Sequence, residues 1–239
     1  MDLIICFIDD SRFEHELVRN EIAPSEKKLE FVQACTFDEA KNNLKGRIPG
    51  LFLLDLWGQD AEVTNPSITP REELDKLASG FNTLDYVYDG LYAFKDDRTN
   101  EYLKRMFSIV ESWRSLFESV CSRVGQNNKY GLNNLKCVRE EYPGVPAVFY
   151  TRKSLINDAV AMIKAGTDGL FIKPTGKNDD ETRRITREFA PELIDSLLKI
   201  INSNIDSLSS FKDFYAKNSP HAYEMIPGLI NYWKEFKNN

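Results

Sequence analysis

Four segments of this 239-residue chain place polar side chains directly behind an apolar run, and together those side chains form a chemical set. Leu3–Ile8 runs into Asp9-Asp10, Leu51–Leu54 into Asp55, Val145–Tyr150 into Thr151, and Gly169–Ile172 into Lys173-Pro174. Short unbroken apolar runs bounded by turn residues suit parallel strands buried on both faces. Such strands deliver their carboxyl ends to one edge of the sheet, where open α/β folds place ligands. Three carboxylates, a hydroxyl and an amine are therefore expected to meet at one place. Carboxylates held together repel, and one takes up a proton unless a cation neutralises them. An all-oxygen set of this kind favours a hard divalent ion that keeps several waters, most naturally Mg2+. A metal beside a carboxylate with a free oxygen, plus a lysine and a hydroxyl, is the equipment for in-line phosphoryl transfer to an aspartate. Asp55 is then the nucleophile, Lys173 and the ion offset charge on the phosphoryl oxygens, and Thr151 hydrogen-bonds one of them.

The elements that must position these groups alternate. Ser11 and Glu14 form a capping-box pattern that opens a helix along Phe13, Leu17, Val18 and Ile22, stopped at Pro24-Ser25. Leu29–Val32 reads as a short strand. Thr36 and Glu39 form a second capping box, for a helix through Ala40 and Leu44 that stops near Gly46. Strand and helix in turn imply a parallel sheet. From Gly58 to about Asn128 the alternation halts. Asn65-Pro66-Ser67 reads as loop, and Thr69-Pro70 then opens a helix carrying Leu74, Leu77, Phe81, Leu84, Val87, Tyr88 and Leu91, weakened at Gly80 and Gly90. Thr99 caps a second helix, whose stripe of Leu103, Met106, Phe107, Val110, Trp113, Phe117, Val120 and Val124 is expected to be the core of an antiparallel hairpin. The alternation resumes with a helix over Leu132–Tyr142, the Thr151 strand, a helix over Leu155–Ile163 and the Lys173 strand. Closing helices cover Ile185–Ile201, divided or begun by Pro191. The expected organisation is an α/β body over residues 1–203, interrupted by a helical insertion over 58–128, with a C-terminal helical extension over 204–239 packed on the body.

Composition narrows the function. A net charge of -6 argues against a general nucleic-acid binder. No apolar run approaches the ~18 residues of a membrane span, and no basic leader precedes the first strand. Cys6, Cys35, Cys121 and Cys137 form no Cys-x-x-Cys pair and read as reduced, packed thiols, which makes the cytoplasm the expected location. His15 is expected on a helix surface. Arg183, Arg184 and Arg187 are expected to solvate a helix face, and Arg152-Lys153 reads either as an anion clamp or as a solvated pair.

Taken in order, Asp9-Asp10, Asp55, Thr151 and Lys173-Pro174 resemble the response-regulator receiver domain of two-component signalling. The phrase from Tyr142-Pro143 through Val145-Pro146 to Thr151 is similar to that family's entry to its fourth strand. The resemblance covers roughly residues 1–57 and 129–203. It implies an α/β fold, a doubly wound five-stranded parallel sheet in the flavodoxin-like order 2-1-3-4-5, here with an inserted α-helical hairpin. It implies Asp55 as phosphoacceptor, Asp9 and Asp10 as metal-binding acids beside Asp55, and the backbone carbonyl of Trp57 as a further metal ligand. Thr151 is then the switch hydroxyl, Lys173 the phosphate-contacting base and Mg2+ the cofactor. The implied partners are a histidine kinase or phosphotransfer protein and an unknown downstream protein that meets the insertion or the C-terminal extension. On this reading the chain is a phosphoacceptor signalling domain in a phosphorelay and not an enzyme. Three departures stand out. Arg152 occupies a position where the family usually has a small residue, Leu170 one where it often has an aromatic, and the insertion begins just beyond Trp57. Two other readings remain. One is a phosphate-independent receiver-like interaction module with a vestigial acidic pocket. The other, a Mg2+-dependent phosphatase, lacks the second acid two residues past the nucleophile, where Trp57 stands.

Overall fold

The computed structural model describes residues 2–63, 68–152, 156–210, 215–217 and 220–238. Five strands form one sheet: β1 (Leu3–Ile8), β2 (Leu29–Ala34), β3 (Leu51–Leu54), β4 (Ala147–Thr151) and β5 (Gly169–Ile172). Every pairing is parallel and the order is β2-β1-β3-β4-β5, as expected. The three middle strands are buried along their whole length, which is why they read as continuous apolar runs. Edge strand β5 instead alternates, with Leu170 and Ile172 exposed. In register, Ile8 lies level with Ala34 and Leu54, Leu54 with Phe149, and Thr151 with Ile172. The residues that follow these strands therefore leave the sheet at one edge.

The chain forms two compact units, Met1–Thr64 with Asn128–Asn239, and Asn65–Asn127. The first holds the sheet with α1 (Arg12–Leu17) and α2 (Phe37–Leu44), and, after the second unit, α6 (Lys129–Glu141), α7 (Ile156–Lys164), α8 (Asp179–Ser210) and α9 (Pro220–Asn238). α1 continues through one π turn at Val18–Ile22 into a 3-10 turn at Ala23–Ser25, where Pro24 cannot donate to the ladder. Ser11 precedes α1 without a side-chain capping bond. Thr36 does cap α2, its Oγ1 accepting from Glu39 N at 3.2 Å, but the Glu39 carboxylate accepts from Cys35 N at 2.7 Å and not from Thr36. Pro191 neither divides nor begins a helix: α8 runs through it as one helix, and it continues beyond residue 203. Buried Ala190, Leu193, Leu197, Ile201, Ile205 and Leu208 hold one face against the body across the proline, so packing outweighs the lost backbone bond. α9 closes the body with Met225, Ile226, Leu229 and Trp233, and the Tyr232 hydroxyl accepts from Ile4 N at 2.7 Å while donating to the Asp2 carbonyl.

In the second unit the expected first helix is two, α3 (Arg71–Ala78) and α4 (Leu84–Tyr88), followed by a 3-10 turn at Leu91–Ala93. The breaks fall at Gly80 and at Gly90, whose φ of 64° is open to glycine and costly for other residues. α3 starts after Pro70, not Thr69, and α5 (Arg98–Arg123) is capped by the Asp97 side chain, which accepts from Asn100 N at 3.0 Å, not by Thr99. Glu73 pairs with Arg123, the Phe81 ring meets Trp113 edge-on at 5.4 Å, and Tyr88 lies 6.0 Å from Tyr102, so α5 runs antiparallel to α3 and α4. The apolar stripe of α5 is not the core of this unit. Leu103, Phe107, Val110 and Trp113 are all exposed, because the short α3 and α4 cover only one side of a 26-residue helix. Among the described residues no helix is long and apolar enough to cross a membrane. The expectations for Asn65-Pro66-Ser67, Lys153, Leu155, Phe211 and Phe214 lie outside the described residues.

Candidate functional site

Backbone ladders run one residue past the strands and fix the site. Asp9 N donates to Ala34 O at 3.0 Å, Asp55 N to Ile8 O at 2.9 Å, and Lys173 N to Thr151 O at 3.1 Å. The carboxylates of Asp9, Asp10 and Asp55 are buried, and ligand atoms from all three lie within 4.8 Å of one another. Lys173 Nζ donates to Asp9 Oδ2 and, at 3.0 Å, to Asp55 Oδ1. The Phe7 and Tyr150 rings flank it, centroids 5.8 and 5.7 Å away. Asp9 Oδ1 accepts from Ser11 N at 2.8 Å. The loop after β3 folds over Asp10: Gln59 N donates to Asp10 Oδ2 at 3.2 Å and Val63 N to Asp10 O at 2.7 Å. Two glycines let backbone approach this closely. A Cβ on Gly58 would stand 2.6 Å from the Tyr130 ring, and one on Gly131 would strike the Asp55 carbonyl and sit 2.6 Å from Leu56 Cα. Gly131 N donates to Leu56 O at 3.0 Å, which seats the first turn of α6 on the loop that carries Asp55.

The charges balance only in part. Burial, joined by repulsion from Asp55 and Glu14, pushes the Asp9 carboxyl well above its ordinary range despite the attraction of Lys173. Lys173 is held charged: burial disfavours the ammonium, but Asp55, Asp9 and Glu14 outweigh it. Four carboxylates, those of Asp9, Asp10, Asp55 and Glu14, face the two cations Lys173 and Arg152. With all four ionised, two negative charges would remain on a compact all-oxygen set, which one divalent ion would offset.

The structure brings Lys173 into direct contact with Asp9 and Asp55 and places an Asp10 ligand atom within 4.8 Å of theirs. Thr151 is fully buried at the end of β4, and among the described residues its Oγ1 has no hydrogen-bond partner. A buried hydroxyl without a partner is rare unless a ligand completes it. Trp57 is buried two residues beyond Asp55, its indole donating to Asp158 Oδ2 at 3.3 Å. Several residues of the site were not anticipated. Glu14 is buried, with Oε2 3.7 Å from Lys173 Nζ. His15 is not on the surface: Nε2 meets the Asp9 carbonyl at 2.7 Å and Nδ1 meets Gln33 Oε1 at 3.0 Å. Tyr130 donates to Cys35 O at 2.6 Å, its hydroxyl kept protonated by burial and by Asp9, Asp10 and Asp55. Arg152 is neither a free clamp nor a solvated residue. It donates to Glu14 Oε1, Pro174 O and Thr175 Oγ1 at 2.8, 2.7 and 2.9 Å. The signal was present in part, since Glu14 shares a helix face with Leu17 and Val18, an acid on an apolar stripe. Arg183 and Arg187 likewise pair with Glu16 and Glu21 of the first helical segment at 2.9 and 2.6 Å, where solvation was expected; Arg184 alone stays on its own helix.

An all-parallel sheet in the order 2-1-3-4-5 is the doubly wound order of flavodoxin and CheY. Acids follow its first and third strands, a hydroxyl ends its fourth and a lysine follows its fifth. The fold is a receiver fold, with extra helices. No family model matches the chain, and no curated protein matches it. Among solved structures it is similar to a CheY-like response regulator receiver domain protein from Methanospirillum hungatei, at 12% identity over 85% of this chain and 99% of that one, with a TM-score of 0.43. It is similar to the response regulator domain of Thermotoga maritima CheB, at 15% identity over 84% and 98%, TM-score 0.44. A two-component response regulator from Clostridium difficile is similar at 12% identity over 83% and 97%, TM-score 0.42.

Proposed function

We propose that this chain is an atypical response-regulator receiver that accepts a phosphoryl group on Asp55 from a histidine kinase or phosphotransfer protein. The observation that carries the reading is Lys173 Nζ, buried and bonded at once to Asp9 and to Asp55 inside a three-carboxylate cluster. A free oxygen of Asp55 attacks the phosphorus of a phosphohistidine. The O–P bond forms as the P–N bond breaks, the imidazole leaves with the electron pair and takes its proton from solvent, and Asp55 loses none. Lys173 moves from the Asp55 carboxylate to a phosphoryl oxygen, and the unpartnered Thr151 hydroxyl donates to another. Mg2+, held by Asp9, Asp10, Asp55 and the Trp57 carbonyl, would supply positive charge against the same oxygens. The residue set favours phosphoacceptance over turnover, because no acid stands two residues past Asp55 to hydrolyse the adduct. In this reading the receiver body spans 1–203, and a downstream protein in the cytoplasm reads the insertion (58–128) or the extension (204–239).

The experiment is incubation with acetyl phosphate and Mg2+, read by intact mass. A single phosphoryl adduct on the wild-type chain, absent in Asp55→Asn, is the expected result. The exposed Leu103, Phe107, Val110 and Trp113 favour the second reading, a phosphate-independent interaction module. No adduct and no Mg2+ binding would select it.

A further inference from the structure

Glu14 lies outside the strand-end pattern, yet it touches both cations of the site. It stands in the first turn of α1 with its side chain buried. Oε1 accepts from Arg152 Nε at 2.8 Å, and Oε2 lies 3.7 Å from Lys173 Nζ, which is itself 3.0 Å from Asp55 Oδ1. The carboxylate is ionised: burial would raise it, but Lys173 and Arg152 hold it below its ordinary range. Arg152 Nη2 also lies 2.8 Å from Glu14 Oε1, but off the line for a hydrogen bond, so among the described residues this buried nitrogen has none. The guanidinium fork is thus only half used by the carboxylate it faces. A phosphoryl group offers the same fork more acceptor oxygens and more charge.

We propose that Glu14 is a built-in stand-in for the phosphoryl group. In the resting state it holds Lys173 and Arg152, and phosphoryl oxygens on Asp55 take both cations from it. Arg152 is then a second phosphoryl-contacting cation beside Lys173, and Glu14 is the positioning residue that keeps it in reserve. Because Arg152 also donates to Pro174 O and Thr175 Oγ1, the exchange pulls on the segment after β5 as well as on the end of β4. The inference rests on the phosphoacceptor reading above.

The test measures the rate and half-saturating concentration of labelling by acetyl phosphate on the full chain. It compares wild type, Glu14→Gln, Arg152→Gln and the double variant, each saturated with Mg2+ and checked for folding by circular dichroism. Glu14→Gln keeps the acceptor but deletes the competing charge, and is expected to label about tenfold more efficiently, largely through a lower half-saturating concentration. Arg152→Gln is expected to label about tenfold less efficiently. The double variant is expected to lose the gain of Glu14→Gln, since the gain works through Arg152. Glu14→Gln at or below wild type, or a double variant that keeps the whole gain, overturns the inference. A wild type that labels with no gain in Glu14→Gln overturns this inference alone, whereas a wild type that does not label overturns the phosphoacceptor reading with it. If Glu14→Gln fails to fold, Arg152→Gln decides: slower labelling supports the second cation and unchanged labelling overturns it.

Discussion

Asp9 sets how the site responds to pH and to metal. Its carboxyl is pushed up by burial first, and by Asp55 and Glu14 next, so the metal-free folded protein binds a proton there that the unfolded chain releases. That contribution to stability is fully present below the ordinary carboxylate value of 3.8 and is lost as pH rises toward the raised folded value. A divalent ion bound by the cluster would take the place of the proton. The rise in melting temperature on adding Mg2+ over EDTA should therefore be larger at about pH 8 than at about pH 5, and at ~100-fold excess over Kd it should correspond to about 2.7 kcal/mol. A gain that is flat or larger at the lower pH would contradict the linkage. Lys173 is the opposite member of the pair. Lys173→Met leaves buried acids without their cation and is expected to cost about 3 kcal/mol in urea unfolding at neutral pH, a loss that shrinks as acidification protonates those acids.

Among the elements, the seat of α6 on the Asp55 loop is the tightest. Gly131→Ala would drive a methyl into the Asp55 carbonyl and against Leu56 Cα, where backbone and not a flexible side chain must yield. The expected cost is about 1–3 kcal/mol, together with weaker Mg2+ binding, read by thermal melting with and without the ion. Wild-type behaviour in both measurements would show that α6 moves freely. At the opposite edge of the sheet, Tyr232 of α9 accepts from Ile4 N of β1 and donates to Asp2 O. Tyr232→Phe is expected to lower stability by about 1–2 kcal/mol while leaving metal binding unchanged. α1 shows why helical spacing misled: Phe13 is only half-buried and carries the guanidinium of Arg183 5.2 Å from its ring centroid, whereas Glu14 and His15 turn into the body. The apolar face was legible there, but the polar members that share it were not.

For the whole molecule, every described contact of the acidic site is made within Met1–Thr64 and Asn128–Asn239. Replacing residues 65–127 by a flexible linker is therefore expected to leave a folded chain that binds Mg2+ and labels at Asp55. Loss of the cooperative melt in that deletion would show that the unit contributes to the body's stability. The second unit has its own logic. Gly80 and Gly90 were visible as weak points, and they do break the expected first helix, but the exposure of Leu103, Phe107, Val110 and Trp113 follows from how little α3 and α4 cover.

The sequence by itself determined the sheet and which residues stand at its carboxyl edge. A strand buried on both faces must be apolar throughout, so the first polar residue after each run marks where the strand ends, and parallel strands end together. It did not determine who pairs with whom across that edge. Pairings such as Glu14 with Arg152 and Lys173, 138 and 159 residues apart in the chain, or His15 with the Asp9 carbonyl leave no period or motif. They exist because the first turn of α1 brings Glu14 to the residues that follow β4 and β5, and a charge buried there must find an opposite charge or stay neutral. That choice belongs to the tertiary structure, and it makes Arg152, odd as a neighbour of Thr151, a partner in the site.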